Sequence, residues 1–428
     1  MGVCMSKRKI EAQVNSEALK EAQPVVAKRP PPKRERLSIW KLSENPDQEG
    51  PIGPETFMQL YQNRSNGSFR KNPKASVSHI LQTEEKEEQG TVMVLNCKVT
   101  IEGALSIHPQ DHFEEKKFRV SGDQIPENYL AQLGLAVTCK KGLKPESPNQ
   151  DDYSVLIDGR QVLLGVFDGH GPFGHNVSNF IHTLLPKLVS KHDSFSTNPL
   201  NSFVPSFDKC QKSLEMHCEH PEAVYDCVLS GSTASLILIK EEKIYTAHVG
   251  DSRAVLSRKT ATGGREAIVL APDHKPNLPE EKARIESRNG EVKKLPNDIP
   301  FRVFIRNRDF PGLAMSRSIG DMLSRDLGVI SEPTVSEHDL TEQDEFVLLC
   351  SDGVWEFITN EDAINFVGNM GRTKVVEAAE YLAKKAWGRW IQHEGDVVDD
   401  ITVMIAYLPL RFADPQSSSG IQSNSTQL

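Results

Sequence analysis

The stretch Val162-Leu163-Leu164-Gly165-Val166-Phe167-Asp168-Gly169-His170-Gly171 gathers chemistry-bearing residue types at the end of an apolar run. The apolar part reads as a strand buried on both faces. It ends in Asp168-Gly169-His170-Gly171, where two glycines allow a sharp turn and leave room for a ligand beside the backbone. A carboxylate at such a point can hold a hard cation, and an imidazole can move a proton. Three more aspartates take comparable places. Asp151 follows the turn-forming Ser147-Pro148-Asn149-Gln150, Asp352 follows the apolar run Phe346 to Cys350, and Asp399 precedes a last strand, Ile401 to Leu408. One strand-end aspartate can be a turn cap. Four in one domain predict an acidic cluster, which costs free energy unless cations neutralise it. All-oxygen ligands favour Mg²⁺ or Mn²⁺ over zinc or copper. Two such ions can share and activate a water and clamp a phosphoryl group, while His170 gives a proton to the leaving oxygen. No cysteine stands in a phosphate-cradling loop, so direct attack by a metal-bound hydroxide is the simplest route.

The elements that must position these groups are legible from periodicity. Leu133 to Cys139 and Tyr153 to Ile157 read as strands flanking the Asp151 turn. After His170, Val177, Phe180, Ile181, Leu184, Leu185 and Leu188 fall on one face of a helix over Gly174 to Lys187, an apolar stripe suited to core packing. A short helix is expected around Gln211 to Cys218. A hairpin follows, its second strand running from Ile244 to Val249, and the chain resumes as strand at Ala254 to Leu256. Pro279 to Asn289 predicts a helix, with proline near its start and Gly290 beyond its end. Val375 to Trp390 predicts a long amphipathic helix, and Thr91 to Ile107 a hairpin around Glu102-Gly103.

Composition bounds the setting. The 428 residues carry a net charge of −9, which argues against nucleic acid as the main partner. No apolar run is long enough for a membrane-spanning helix, and no signal-peptide core opens the sequence. Seven cysteines without a CxxC pair read as reduced thiols of an intracellular protein. Residues 1–40 hold nine Lys/Arg against four Glu, so the remainder carries −14. The opening Met1-Gly2-Val3-Cys4-Met5-Ser6 fits N-myristoylation at Gly2, with Cys4 placed for palmitoylation and Lys7-Arg8-Lys9 beside it. One acyl chain anchors weakly, and a second signal makes anchoring stable. The expected layout is a basic, lipidated segment (1–40), an extension of undefined structure (41–125), a catalytic domain (126–410) and a Ser-rich tail (411–428). The expected location is the cytoplasmic face of a membrane, with a cytosolic pool and a monomeric chain.

Eight stretches occur in one order: Gln150-Asp151, Phe167 to Gly171, Gly231-Ser232-Thr233-Ala234, Val249 to Arg253, Asp273-His274-Lys275-Pro276, Leu313 to Asp321, Ser351 to Trp355, and Asp399-Asp400-Ile401-Thr402. In them the chain resembles the metal-dependent protein serine/threonine phosphatases of the PPM, or type 2C, family. The resemblance implies an α+β fold, a central sandwich of two antiparallel β-sheets flanked by helices, with a dinuclear metal site at one edge. It implies two Mg²⁺ or Mn²⁺ ions, with a weaker third as a further option, and phosphoprotein substrates. Asp168 would bridge the ions, with the Gly169 carbonyl as a further ligand. Asp352 and Asp399 would hold one ion, and Asp151 would lie near the other. Asp251 would serve the third, and His170 matches the family's general acid. The family's phosphate-binding Arg has no counterpart here, since its place falls on Glu146. Lys144 and Arg302 are the candidates to replace it. The alternative to an active phosphatase is a scaffold or adaptor that keeps the fold without turnover.

Overall fold

The computed structural model describes residues 98–412, apart from 107, 109, 110, 145, 146 and 297. Gly2, Cys4, the basic residues of the first forty positions, Glu146 and the Ser-rich tail from residue 413 lie outside the described residues.

Strands are numbered in chain order. The first sheet runs from an edge strand β2 (Phe118–Gly122) through β1 (Lys98–Gly103), β4 (Asp151–Asp158), β5 (Gln161–His170), β7 (Ala234–Lys240) and β8 (Lys243–Val249) to β15 (Thr334–Asp339). The short β6 (Gly231–Ser232) and β14 (Ile319–Gly320) pair with each other beside the end of β5. The second sheet has the order β10 (Arg265–Ala271), β9 (Arg253–Lys259), β16 (Asp344–Cys350), β17 (Ile401–Tyr407) and β3 (Leu135–Lys140). A small third sheet holds β11 (Gly290–Lys293), β12 (Arg302–Ile305) and β13 (Pro311–Leu313). The named pairings are antiparallel, as the sequence led us to expect for a sandwich.

Alternation along the strands builds the layers. Val155, Ile157, Val162 and Leu164 of the first sheet meet Leu256, Val347, Leu349 and Met404 of the second in one buried cluster, the interior of the sandwich. On the other face of the first sheet, Leu163, Phe167 and Leu238 pack against Val177, Ile181 and Leu185 of the helix Gly174–Ser190, and against Phe203 and Phe207 of the helix Leu200–Cys218. The outer face of the second sheet offers Phe346, Leu348 and Val403 to Leu382, Ala386 and Trp390 of the helix Val375–Glu394. Helices thus cover both outer faces, and each sheet is apolar on both sides, which is why its strands read as continuous apolar runs.

Two elements differ from the sequence expectation. The second helix begins at Leu200 and carries Pro205 inside it, where only Gln211 to Cys218 showed a helical pattern. The glycine at 103 ends β1 and makes no hairpin. β1 instead pairs with Phe118–Gly122 on one side and with β4 on the other, so this part of the extension is built into the sheet. The stretch after Asn289 forms the small third sheet, with its own core of Val292, Val303, Leu313 and Met315.

Candidate active site

The aspartates gather at one edge of the sandwich because register and connection bring them there. Asp151 and Asp168 are direct cross-strand partners at the start of β4 and the end of β5. In the second sheet, β16 ends at Cys350 opposite Val403 of β17, so Asp352 follows β16 at the same end where Asp399 and Asp400 precede β17. The two halves meet at Asp151. Its Oδ2 accepts hydrogen bonds from Ser351 Oγ and Thr402 Oγ1, both at 2.7 Å, across the seam between the sheets. Asp168 is held from the backbone: its N–H donates to Thr233 Oγ1 at 2.9 Å, and the Thr233 N–H returns to its carbonyl at 2.9 Å. The Gly-Ser-Thr-Ala motif therefore acts as a splint for the Asp168 strand end.

Electrostatics show how close the carboxylates stand. Burial pushes the Asp168 carboxyl well above the ordinary range, and the charges of Asp151, Asp352, Asp399 and Asp251 push it further. Asp151 is also raised, by burial first and then by Asp400 and Asp399, against the hydrogen bonds from Ser351 and Thr402. Partial neutralisation comes from lysines. Lys144 is paired with Asp399, and Lys275 donates to Asp251 Oδ2 at 2.7 Å. Among the described residues, no three His, Cys, Asp or Glu side chains form a finished metal cage as they stand. The donor set nevertheless fits hard divalent cations. It is all oxygen, it converges on Asp168, and its mutual repulsion is what cations would relieve.

Glycines clear the space. A Cβ on Gly169 would stand 2.2 Å from the Gly174 carbonyl oxygen and 2.7 Å from that of Gln150. Gly171 adopts φ +81°, a left-handed conformation that suits glycine, and its carbonyl accepts from Gln150 Nε2 at 2.8 Å.

His170 sits beside this cluster. Its Nε2 lies 2.7 Å from Asp321 Oδ2, and its buried Nδ1 has no protein partner. Burial works against the charged ring, but Asp321, then Asp251 and Asp352, hold His170 above the ordinary imidazole range. Asp321 is itself fixed by Ser318 Oγ at 2.5 Å and by its N–H to the Ser230 carbonyl at 2.9 Å. Gly231 must lack a side chain here: a Cβ would stand 2.2 Å from Asp321 Oδ2 and 2.7 Å from His170 Nε2.

Of the residues expected from the sequence, Asp151, Asp168, Gly169, Asp251, Asp352, Asp399 and His170 belong to this one neighbourhood, and Lys144 reaches it through Asp399. Arg302 is different. It lies in β12 with its side chain 8% exposed, bound to Asp298 Oδ2 at 2.6 Å and to the Gly312 carbonyl at 2.9 Å. The guanidinium expected to meet substrate phosphate is committed within the small third sheet. Sequence reasoning missed three partners: Asp321, the buried Asp400, and Lys116. The first two lie inside the quoted motifs, next to glycine or to another aspartate. Lys116 carries no such signal.

The family model described as protein phosphatase 2C matches residues 148–392. The chain belongs to the protein phosphatase 2C family. The match takes in the β4–β5 pair, both short strands beside His170 and the Asp352 turn, and stops before Asp399. Among relatives, probable protein phosphatase 2C 64 from Oryza sativa subsp. japonica is 37% identical over 270 residues, covering 61% of this chain and 62% of its own length. Probable protein phosphatase 2C 72 from Arabidopsis thaliana is 33% identical, covering 60% of this chain and 81% of its own. In fold, the chain is similar to the crystal structure of a serine-threonine phosphatase 2C from Toxoplasma gondii, with a TM-score of 0.54 and 21% identity over 72% of this chain and 98% of that one. Membership of the phosphatase 2C family agrees with the resemblance read from the eight motifs.

Proposed function

We propose that this chain hydrolyses phosphoserine and phosphothreonine in proteins at the Asp168 edge, using Mg²⁺ or Mn²⁺. The observation that carries the reading is the convergence of four other aspartates from both halves of the sandwich on Asp168, whose carboxyl is raised by burial and then by their charge. Asp168, the Gly169 carbonyl, Asp352 and Asp399 are the residues that would hold two cations, with Asp151 beside them and Asp251 toward a third. Bound there, the cations supply an activated water and a positive clamp on the phosphoryl group. The chain's own residues do the rest. The cross-strand pair Asp151–Asp168 fixes the spacing of the carboxylates. Asp321 orients His170, which leaves Nδ1 as the nitrogen that hands a proton to the departing serine or threonine oxygen. Lys144, on its pairing with Asp399, is the cation closest in sequence to the missing arginine, and as a point charge it steers phosphate without a bidentate fork. The test is Asp168→Asn in the full chain. Turnover of a phosphothreonine peptide with Mn²⁺ should fall at least about 10³-fold, a loss of the size seen when a preorganised charge is removed from an active site. A mutant with near-parental turnover overturns the reading.

We further propose that the enzyme works at a membrane surface through acyl chains on Gly2 and Cys4, with phosphoproteins there as substrates. The support is the coincidence of Gly2, Cys4 and Ser6 with the basic clusters Lys7–Lys9, Lys28-Arg29 and Lys33–Arg36. Gly2→Ala should move the protein to the soluble fraction of a cell lysate. Retention of the mutant in the membrane pellet refutes the anchor.

A further inference from the structure

We propose that Lys116 is a positioning residue for the metal-binding carboxylates, tying the Asp151 strand end to the opposite sheet. The inference rests on the reading of the Asp168 edge as the active site. Lys116 lies ahead of the family-matched residues 148–392, in the connection between β1 and β2. It is 1% exposed. Its ammonium donates to the Asp151 backbone carbonyl at 2.5 Å and stands 3.2 Å from Asp152 Oδ2. A buried lysine is expensive and is expected only where its contacts are specific.

The two ends of Lys116 are anchored on different sheets. Its N–H donates to the Cys139 carbonyl of β3 at 2.8 Å, in the second sheet. The residues before it bind the same strand end: the Phe113 N–H reaches the Lys141 carbonyl and the Lys141 N–H reaches the Glu114 carbonyl, each at 2.9 Å. The Glu115 carboxylate accepts from the Cys139 N–H at 2.8 Å and from Thr138 Oγ1 at 2.7 Å, and pairs with Lys140 Nζ at 2.6 Å. The segment is thus fastened to the second sheet, while the ammonium holds the first residue of β4 in the first. Gly103 makes the passage, since a Cβ there would stand 2.0 Å from Asp152 Oδ1 and 3.1 Å from Lys116 Cε.

Neutralising Asp152 does not by itself explain the contact. Asp152 Oδ2 already has His182 Nδ1 at 3.1 Å and Asn179 Nδ2 at 3.4 Å. What those partners do not supply is the hydrogen bond to the Asp151 carbonyl. That bond fixes the peptide plane from which the Asp151 side chain projects to Ser351 and Thr402, and Asp168 is paired to the same residue.

Three variants of the full chain separate positioning from simple charge balance: Lys116→Met, Asp152→Asn, and both together. The measurements are thermal midpoint, Mn²⁺ affinity by calorimetry, and kcat and KM on a phosphothreonine peptide. Lys116→Met should weaken Mn²⁺ binding and lower kcat by about tenfold or more, the usual scale for a residue that orients a metal ligand, with KM little changed. In the double variant the thermal midpoint should recover, because no buried carboxylate is left short of a cation, while Mn²⁺ affinity stays weak. Recovery of Mn²⁺ affinity together with the midpoint overturns the proposal, since Lys116 would then only balance Asp152. So does a Lys116→Met protein that binds Mn²⁺ within about twofold of the parent, the threshold lying well under the expected tenfold. A double variant that fails to fold overturns it as well, by making Lys116 a core residue. Asp168→Asn serves as the separate control. If it keeps Mn²⁺ binding, the active-site reading has failed and not the role of Lys116.

Discussion

Two pairs of adjacent aspartates, one on each sheet, divide the same labour in the same way. In Asp151-Asp152, the second member is saturated. Asp152 meets Lys116, His182, Asn179 and the Tyr153 N–H, and although burial would lift its carboxyl, the His182 and Lys116 charges bring it down to about 2. Asp151, its neighbour, is raised. In Asp399-Asp400, the second member is again saturated: Asp400 accepts from Lys141 Nζ at 3.2 Å, the Gly142 N–H at 2.7 Å and the Gln150 N–H at 2.8 Å, and is 2% exposed. Asp399 instead joins the charge cluster around Asp168. Adjacent side chains on an extended backbone point to opposite sides. One of each pair therefore faces the cluster, and the other faces the scaffold that holds it. Chemistry and stability are assigned to different members of the same dipeptide.

The two members of the second pair should respond to substitution in opposite ways. Asp400→Ala leaves the Lys141 ammonium, 0% exposed, without its carboxylate and strips two backbone N–H groups of their acceptor. Urea unfolding should show a loss of about 3–5 kcal/mol, the cost of orphaning a buried charge. Asp399→Asn should move the same midpoint by less than about 1 kcal/mol, because it removes repulsion as well as a pairing to the half-exposed Lys144. Its damage should appear as weakened Mn²⁺ binding. Equal stability losses in the two variants would contradict the division of roles.

A second contrast lies between the metal side and the proton side. Asp321→Asn leaves the aspartate cluster intact but replaces the partner of His170 Nε2. Hydrolysis of a phosphoserine peptide, whose leaving group needs a proton, should fall by about 10–10²-fold, toward the lower end of a general acid's contribution. Hydrolysis of an activated aryl phosphate should fall by much less. Equal losses on both substrates would make Asp321 a packing residue.

A modest effect on stability is expected where Glu281 accepts from Arg284, Arg317 and Ser316 and ties the helix Pro279–Ser287 to the Ser316–Arg317 turn. Burial would raise its carboxyl, but these donors hold it well below the usual range. A depressed folded pKa stabilises fully above the unfolded value and is lost as pH falls through the folded one. Glu281→Gln should thus cost about 1–2 kcal/mol at neutral pH, the scale of a lost charge-assisted hydrogen bond. That gap from the parent should close progressively in acid below 4.5, the ordinary carboxylate value. A gap independent of pH would assign the loss to packing.

The sequence disclosed the cluster better than its supports. Asp151, Asp168, Asp352 and Asp399 are legible because each stands at the end of an apolar run, where a strand must stop. The two-sheet sandwich is legible for the same reason, since apolar runs that short imply strands covered on both faces. Asp400 stood in a quoted motif without a role, because nothing local distinguishes an aspartate that faces lysine and backbone from one that faces its own kind. Asp321 sat in a recognised motif, but its service to His170 depends on the β6–β14 pairing, a contact between residues far apart in sequence. Lys116 was invisible, one of two adjacent lysines in the charged stretch Glu114-Glu115-Lys116-Lys117, and its environment exists only after the sandwich closes. Arg302, a candidate to replace the family's phosphate-binding arginine, has its guanidinium taken by an aspartate four residues away.

The seam at Asp151 has one more consequence. Asp151 and Asp168 ride on one sheet, Asp352 and Asp399 on the other, and the hydroxyls of Ser351 and Thr402 touch Asp151 across the gap. The distance between the two halves of the cluster is therefore set by the thickness of the apolar filling beneath it. Val155, Leu164, Leu349 and Met404 are the gauge blocks of this instrument. Interiors packed as tightly as crystals change thickness in steps of a methyl group, so trimming or enlarging one of these oily residues should shift the two halves of the cluster against each other without touching a carboxylate.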